Sequence, residues 1–137
     1  MPGIFGITYR TELMDDDTAA ALAFEIQQYK TYRDIVAQSS AALLSEQAPV
    51  DEHGWDVLQE VTDDRRSAVI FAFKSDGQEG RLLVRPLGLV ADATYDVRSL
   101  DLGPIGSSRG DLLMQDGIEL VHSLGSRAHI LILRARE

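Results

Sequence analysis

The side chains of this 137-residue chain that are capable of catalysis or ligation fall into a few small groups. Asp15, Asp16 and Asp17 are successive carboxylates, and such clusters can bind a hard cation or share a proton. Adjacent positions splay around a helix start, however, and no oxygen ligands recur at the loop spacing an ion requires. The cluster is therefore read as a helix cap. His53, His122 and His129 are the three imidazoles. His129 sits in an apolar strand pattern and the other two at strand ends, a dispersal that points to structural roles rather than to zinc. Arg109-Gly110-Asp111 spells a cell-adhesion tripeptide, but three-letter matches arise readily by chance and this one falls inside a short helical pattern. The absence of cysteine removes disulfides, thiolate zinc sites and cysteine nucleophiles together. No Ser/His/Asp or paired-carboxylate constellation is spelled out at motif level. No catalytic, cofactor-binding or metal-ligating residue is assigned.

Charge narrows the partners. With 13 Lys+Arg against 22 Asp+Glu the net charge is −9, which repels phosphate backbones and anionic lipid. Arg65-Arg66 and Arg134 to Arg136 are the basic clusters, too small and too close to acidic neighbours to form a nucleic-acid footprint. No apolar run approaches the roughly 20 residues of a membrane span, and the N-terminus lacks the basic start and apolar stretch of a secretory signal. The expectation is a cytoplasmic protein that binds neither nucleic acid nor membrane. A composition of 45% hydrophobic and 26% charged residues is that of an ordinary globular chain.

The elements that position these groups divide at about Pro49, into a helical segment over 1–48 and a strand-and-turn domain over 49–137. The three aspartates and Thr18 supply an N-cap oxygen and negative charge at the positive end of a helix dipole. Leu22, Ile26, Tyr29, Arg33 and Val36 then recur at helical period, predicting one helix that ends near Gln38-Ser39-Ser40. A further helical turn is read through Ala41 to Leu44. After Gly54 the period becomes that of a strand, with Trp55, Val57, Gln59 and Val61 on one face. Ser67 to Lys74 is almost continuously apolar, as a central buried strand should be. Arg81–Leu87, Thr94–Leu100, Ile118–Ser123 and Ala128–Arg134 supply more strands bounded by Gly, Pro, Asp or Ser. Arg109 to Gly117 reads as a helical turn closed by glycine. Short, regularly spaced strands indicate a mainly β protein, an antiparallel β-sandwich preceded by one long α-helix.

Five of these segments, in order, resemble the C-terminal region of glycoside hydrolase family 36, the bacterial α-galactosidase or melibiase group. Gly3-Ile4-Phe5-Gly6-Ile7 is similar to a shortened form of the segment that leaves the last strand of the family's (β/α)₈ barrel, and Tyr29-Lys30-Thr31-Tyr32-Arg33 to the end of its final helix. The strand opening on Trp55, with the Asp-Arg turn and the Ala68–Phe73 strand after it, resembles the start of the family's terminal sandwich. Arg85 to Val97 and Gly110 to Ile118 resemble two later elements. The stretch from Ser99 to Gly106 matches none.

The resemblance implies a parent enzyme that hydrolyses α-linked sugars with retention, using two carboxylates on barrel strands. Those strands lie upstream of the matched helix, so the chain alone is expected to be non-catalytic and to need no cofactor. Its implied role is an accessory domain bracing the catalytic barrel, and an oligomer interface. Leu22, Ile26, Tyr29, Arg33, Val36 and Trp55 are the expected interface residues, Trp55 packing against the helix or the barrel. Burying the four apolar side chains of the helical stripe would contribute on the order of 6 to 12 kcal/mol, at roughly 1.5 to 3 each. In isolation that face should fold back on the sandwich or drive homo-oligomerisation. The alternative reading is an independent carbohydrate-binding module, but aromatic residues are only 7% of the chain and Phe71, Phe73 and Tyr95 fall in strands expected to be buried.

Overall fold

The computed structural model describes residues 12, 14–46, 54–74, 80–121 and 128–137. Helix α1 (Asp16–Lys30) begins where the capping pattern places it: the Asp15 carboxylate accepts the Thr18 amide at 2.7 Å, and Asp16 and Asp17 occupy the first turn. It does not run on to Gln38. The Thr31 and Tyr32 amides donate to the carbonyls of Gln28 and Tyr29, three residues back, which tightens and ends the α-helical ladder. The Thr31 hydroxyl also donates to Gln28 O at 2.7 Å, and the Arg134 guanidinium donates to Thr31 O at 3.0 Å. A separate short helix, α2 (Arg33–Ala37), follows the break. The expected single helix is thus two, divided by local hydrogen bonding that a side-chain period does not reveal.

The turn expected at Ala41–Leu44 is instead part of a strand, β1 (Ser39–Leu43). Ala41 and Ala42 pair with Glu60 and Gln59, so ladder formation beside an existing strand overrides alanine's helical preference. The remaining elements are β2 (Trp55–Thr62), β3 (Ser67–Lys74), β4 (Arg81–Val84), β5 (Thr94–Ser99), β6 (Gly103–Arg109), α3 (Gly110–Asp116), β7 (Ile118–Val121) and β8 (Ala128–Ala135). Strand β6 takes up the second half of the stretch from Ser99 to Gly106 that matched no family element. Residues 47–53, which hold the Pro49 boundary and His53, lie outside the described residues, as do 1–11 and His122.

Among the described residues every strand pairing is antiparallel. Six strands form one sheet in the order β1-β2-β3-β8-β5-β6, and β4 pairs with β7 as a separate ribbon. The two layers enclose the main core: Ala68, Ile70 and Ala72 of β3 and Leu131 and Leu133 of β8 face Val84, Ile118 and Leu120 of the ribbon and Leu113 of α3. On the sheet's other face Val69, Phe71 and Ile132 pack with Ile35 of α2. The expected antiparallel sandwich with a leading helix is therefore the fold, with α2 adding a cover on the outer face.

Buried polar groups fix the loops between layers. Gln59, 1% exposed, donates to Leu87 O at 2.8 Å and accepts the Leu87 amide at 2.9 Å, clamping the segment after β4 to β2. Tyr95, fully buried, accepts the Val90 amide at 2.9 Å and donates to Arg65 O. Gly117 closes α3 at φ 83, where a Cβ would meet the Leu83 side chain and the Val84 carbonyl at 2.9 Å. Gly110 is constrained by space instead, since a Cβ there would lie 2.2 Å from Val90 O. Gly110→Ala is accordingly expected to destabilise the fold by about 1 to 3 kcal/mol through forced separation of α3 from the Val90 loop. A urea unfolding series tests this, and an unchanged midpoint would mean that the loop yields freely.

Candidate docking surface

The groups singled out for chemistry are mostly engaged in structure. Asp15 is held below the ordinary carboxylate range by its hydrogen bonds to Thr18, as a cap should be. Arg109 binds the Asp111 carboxylate through two donors at 3.1 and 2.7 Å, so the adhesion-like tripeptide is closed on itself at the start of α3. Arg66 donates to Arg136 O at 2.6 Å, and Arg136 reaches Asp96 at 2.7 and 3.0 Å. His129 is 3% exposed, its ring 5.7 Å from that of Trp55 and its Nδ1 3.9 Å from Asp101 Oδ2. Among the described residues no group of three His, Cys, Asp or Glu is placed to hold a metal ion, and no helix is long and apolar enough to cross a membrane.

What the structure does assemble is an apolar and aromatic surface on the outer face of the sheet. In α1, Leu22, Ile26 and Tyr29 lie on one stripe and are half-buried, and no residue of the helix is buried; Phe24 is 59% exposed. From the end of that stripe a chain of aromatic contacts descends to the sheet. Tyr29 meets Tyr32 edge-on at 5.5 Å, Tyr32 meets Phe71 edge-on at 5.8 Å, and Phe71 stacks parallel to Phe73 at 6.5 Å. Burial raises the Tyr32 phenol above its ordinary pKa, with Tyr29 and Glu25 contributing. Phe73 ends the series 48% exposed, although the sequence pattern predicts it buried. Strand alternation turns it to the outer face, and α2 is too short to reach it.

The other expected interface residues are spread more widely. Arg33 and Val36 belong to α2: Arg33 is exposed beside Asp34 at 3.9 Å, and Val36 packs on the outer core cluster. Trp55 is in phase with Val57 and Gln59 and packs against the main core on the ribbon side of the sheet, opposite α2, with the Lys74 ammonium 5.8 Å from its ring centre. The face of β2 on which it lies, not the helix, determines its surroundings. Phe73 was the outer-face residue that sequence reasoning misplaced; the alternation Val69, Phe71, Phe73 is the signal that groups it with the exposed surface.

The C-terminal strand is anchored by a surface network of Arg136, Asp96 and Ser107, in which Asp96 also accepts the Ser107 hydroxyl at 2.6 Å. The Arg136 hydrogen bond, then that of Ser107, lowers the Asp96 pKa. A depressed folded-state pKa means that the contribution of this carboxylate is present above the ordinary aspartate range and is lost as pH falls through the lowered value. Wild type and Asp96→Asn are expected to differ in Tm near neutrality, with the gap narrowing as pH falls below about 4 and closing once the lowered value is passed. A Tm gap that persists unchanged into strong acid would refute the linkage.

No family model matches the sequence, and no curated protein matches it. Solved structures do match. The galactosidase domain of the α-galactosidase-sucrose kinase AgaSK superposes over 91% of this chain with a TM-score of 0.70 at 20% identity, using 17% of its own length. The family 36 α-galactosidase AgaB of Geobacillus stearothermophilus gives 0.72 and 19% over 92% of this chain and 17% of its own, and the α-galactosidase of Lactobacillus brevis gives 0.73 and 17% over 93% and 18%. This chain thus spans about a sixth of the length of those enzymes, and its fold, helices and sheet together, is one that family 36 α-galactosidases carry as a part of a much longer polypeptide.

Proposed function

We propose that this chain is a non-catalytic accessory domain of an α-galactosidase-like glycoside hydrolase, a cytoplasmic enzyme of carbohydrate metabolism, and that it sits C-terminal to and braces a catalytic (β/α)₈ barrel. In this reading residues 1–48 form the joining segment, which lends β1 to the edge of the sandwich formed by 49–137. The observation that carries the proposal is helix α1, which along 15 residues leaves Phe24 exposed and Leu22 and Ile26 only half-buried. A helix of that composition gains most of its stability from packing, because isolated helices of this length are marginal in water. The surface continuous with it, through Tyr29 and Tyr32 to Phe73, offers a broad apolar footing rather than a cleft. The fold neighbours support the choice of partner, since each is an α-galactosidase about six times longer than the part it shares.

A sugar-binding module has less support. Among the described residues Tyr95 and Phe71 are in the cores and Trp55 is packed between His129 and Lys74, so the rings left exposed are Phe24 and Phe73, on separate elements rather than in a row. The purified chain is expected to release no nitrophenol from aryl α-galactosides and to give no heat with galactose or raffinose in calorimetric titration. Turnover by the chain alone would overturn the accessory reading, and saturable heat would favour the sugar-binding one. Within the longer protein, Leu22→Ser with Ile26→Ser should lower the temperature at which activity is lost. In the isolated chain the same pair should lower the unfolding free energy by about 1.5 to 3 kcal/mol, half of what full burial of both side chains would supply, because both are half-buried there.

A further inference from the structure

The strand order leaves two outer edges on the large sheet, β1 and β6, and they are built differently. Edge β6 is interrupted. It carries Pro104, holds Gly103 at φ 75, and its pairing with β5 shifts register between Val97 and Arg98. These are features by which natural sheets discourage strand addition. Edge β1 has none of them. Ser39 to Leu43 pair with Thr62 to Leu58 in unbroken register, and Ser40 through Leu43 are all exposed. Among the described residues no strand pairs with its far side.

The direction of the backbone groups follows from one bond. The Leu44 amide donates inward to Val57 O at 2.8 Å, so by strand alternation Ala42 and Ser40 also face β2, while the amides and carbonyls of Ser39, Ala41 and Leu43 face outward. From Gln38 to Ser45 the chain carries no charged residue, although its net charge is −9. A net negative charge makes two copies repel, and β1 itself brings no charged side chain into such a contact. Antiparallel pairing about a two-fold axis needs a self-complementary strand. Centred on Ala41, the register sets Ala41 against Ala41 and Leu43 against Ser39, with small side chains in the middle and no like charges opposed. Leu43, 67% exposed, would then be covered.

We propose that β1 is a self-association edge, on which a second copy of this chain adds its own β1 antiparallel to extend the sheet across a two-fold axis. This surface is distinct from the α1 stripe and does not depend on the accessory-domain reading. Light scattering after size-exclusion chromatography of the full chain over a concentration series is expected to show a reversible dimer. Ala41→Pro removes an outward amide that β2 does not use, and Leu43→Lys replaces the apolar side chain that the second copy would cover with a solvated charge on the edge. Each should weaken the dimer at least about tenfold, with unchanged far-UV circular dichroism, whereas Leu22→Ser should not. Amide exchange at Ala41 and Leu43 should slow as concentration rises. A chain that stays monomeric throughout, or a dimer that survives Leu43→Lys and dissociates with Leu22→Ser, would overturn the proposal. Should Ala41→Pro fail to fold, Leu43→Lys and the exchange measurement decide the matter alone.

Discussion

Strand β3 is apolar on both faces, and most of the architecture answers that constraint. Ala68, Val69, Ile70 and Ala72 have no exposed surface, which alternating strands reach only when both sides of a sheet are covered. The inner face is closed by the β4–β7 ribbon and α3, the outer face by the five residues of α2. The covers are unequal, and that inequality explains the exposed ring of Phe73 and the apolar surface running from it to α1. Leaving a residue such as Val69 or Phe71 wet would forfeit roughly 1.5 to 3 kcal/mol apiece, a large share of the stability of a domain this size.

Polar groups then fix the layers in place. Gln59 and Tyr95 are buried beyond the reach of water; Gln59 satisfies both backbone groups of Leu87, and Tyr95 joins the Val90 amide to the Arg65 carbonyl of a separate turn. Leaving such groups unpaired costs more than their hydrogen bonds contribute, so these side chains specify position even where their net stabilisation is modest. The ion pairs are different in kind. Arg81 with Glu119 and Arg109 with Asp111 lie on the surface, where solvent and salt reduce an ion pair to a small contribution.

Much of this was legible in the sequence, for reasons that separate the successes from the failures. Asp15 with Thr18 is a local capping signal, and Ser67 to Lys74 is a composition signal; neither depends on distant parts of the chain. Gly117 marked the end of α3 because only its backbone tolerates that turn. The break at Thr31 was hidden, since it arises from hydrogen bonds that preserve the apolar period on either side. Strand β1 was hidden because Ala41 and Ala42 favour a helix locally and are drawn into a sheet by β2. Strand β6 was hidden by Gly103, Pro104 and Gly106, which read as a turn. At the surface site, the stripe Leu22, Ile26 and Tyr29 was visible from spacing, while Arg33 and Val36 were separated from it by the break and Trp55 by the side of the sheet on which it packs.

The place of β8 in the sheet has a consequence for the order in which this chain can fold. The last strand in sequence is inserted between β3 and β5, and each of those has only one other neighbour, β2 and β6 respectively. Until residues 128–135 are present, the sheet exists at most as two unconnected halves with Leu131 and Leu133 missing from the core between them. Hairpin-like pairs can form earlier, yet the cooperative unit waits for residues 128–135. Such late, long-range closure places the protein among slow folders, with apolar β3 exposed to aggregation meanwhile.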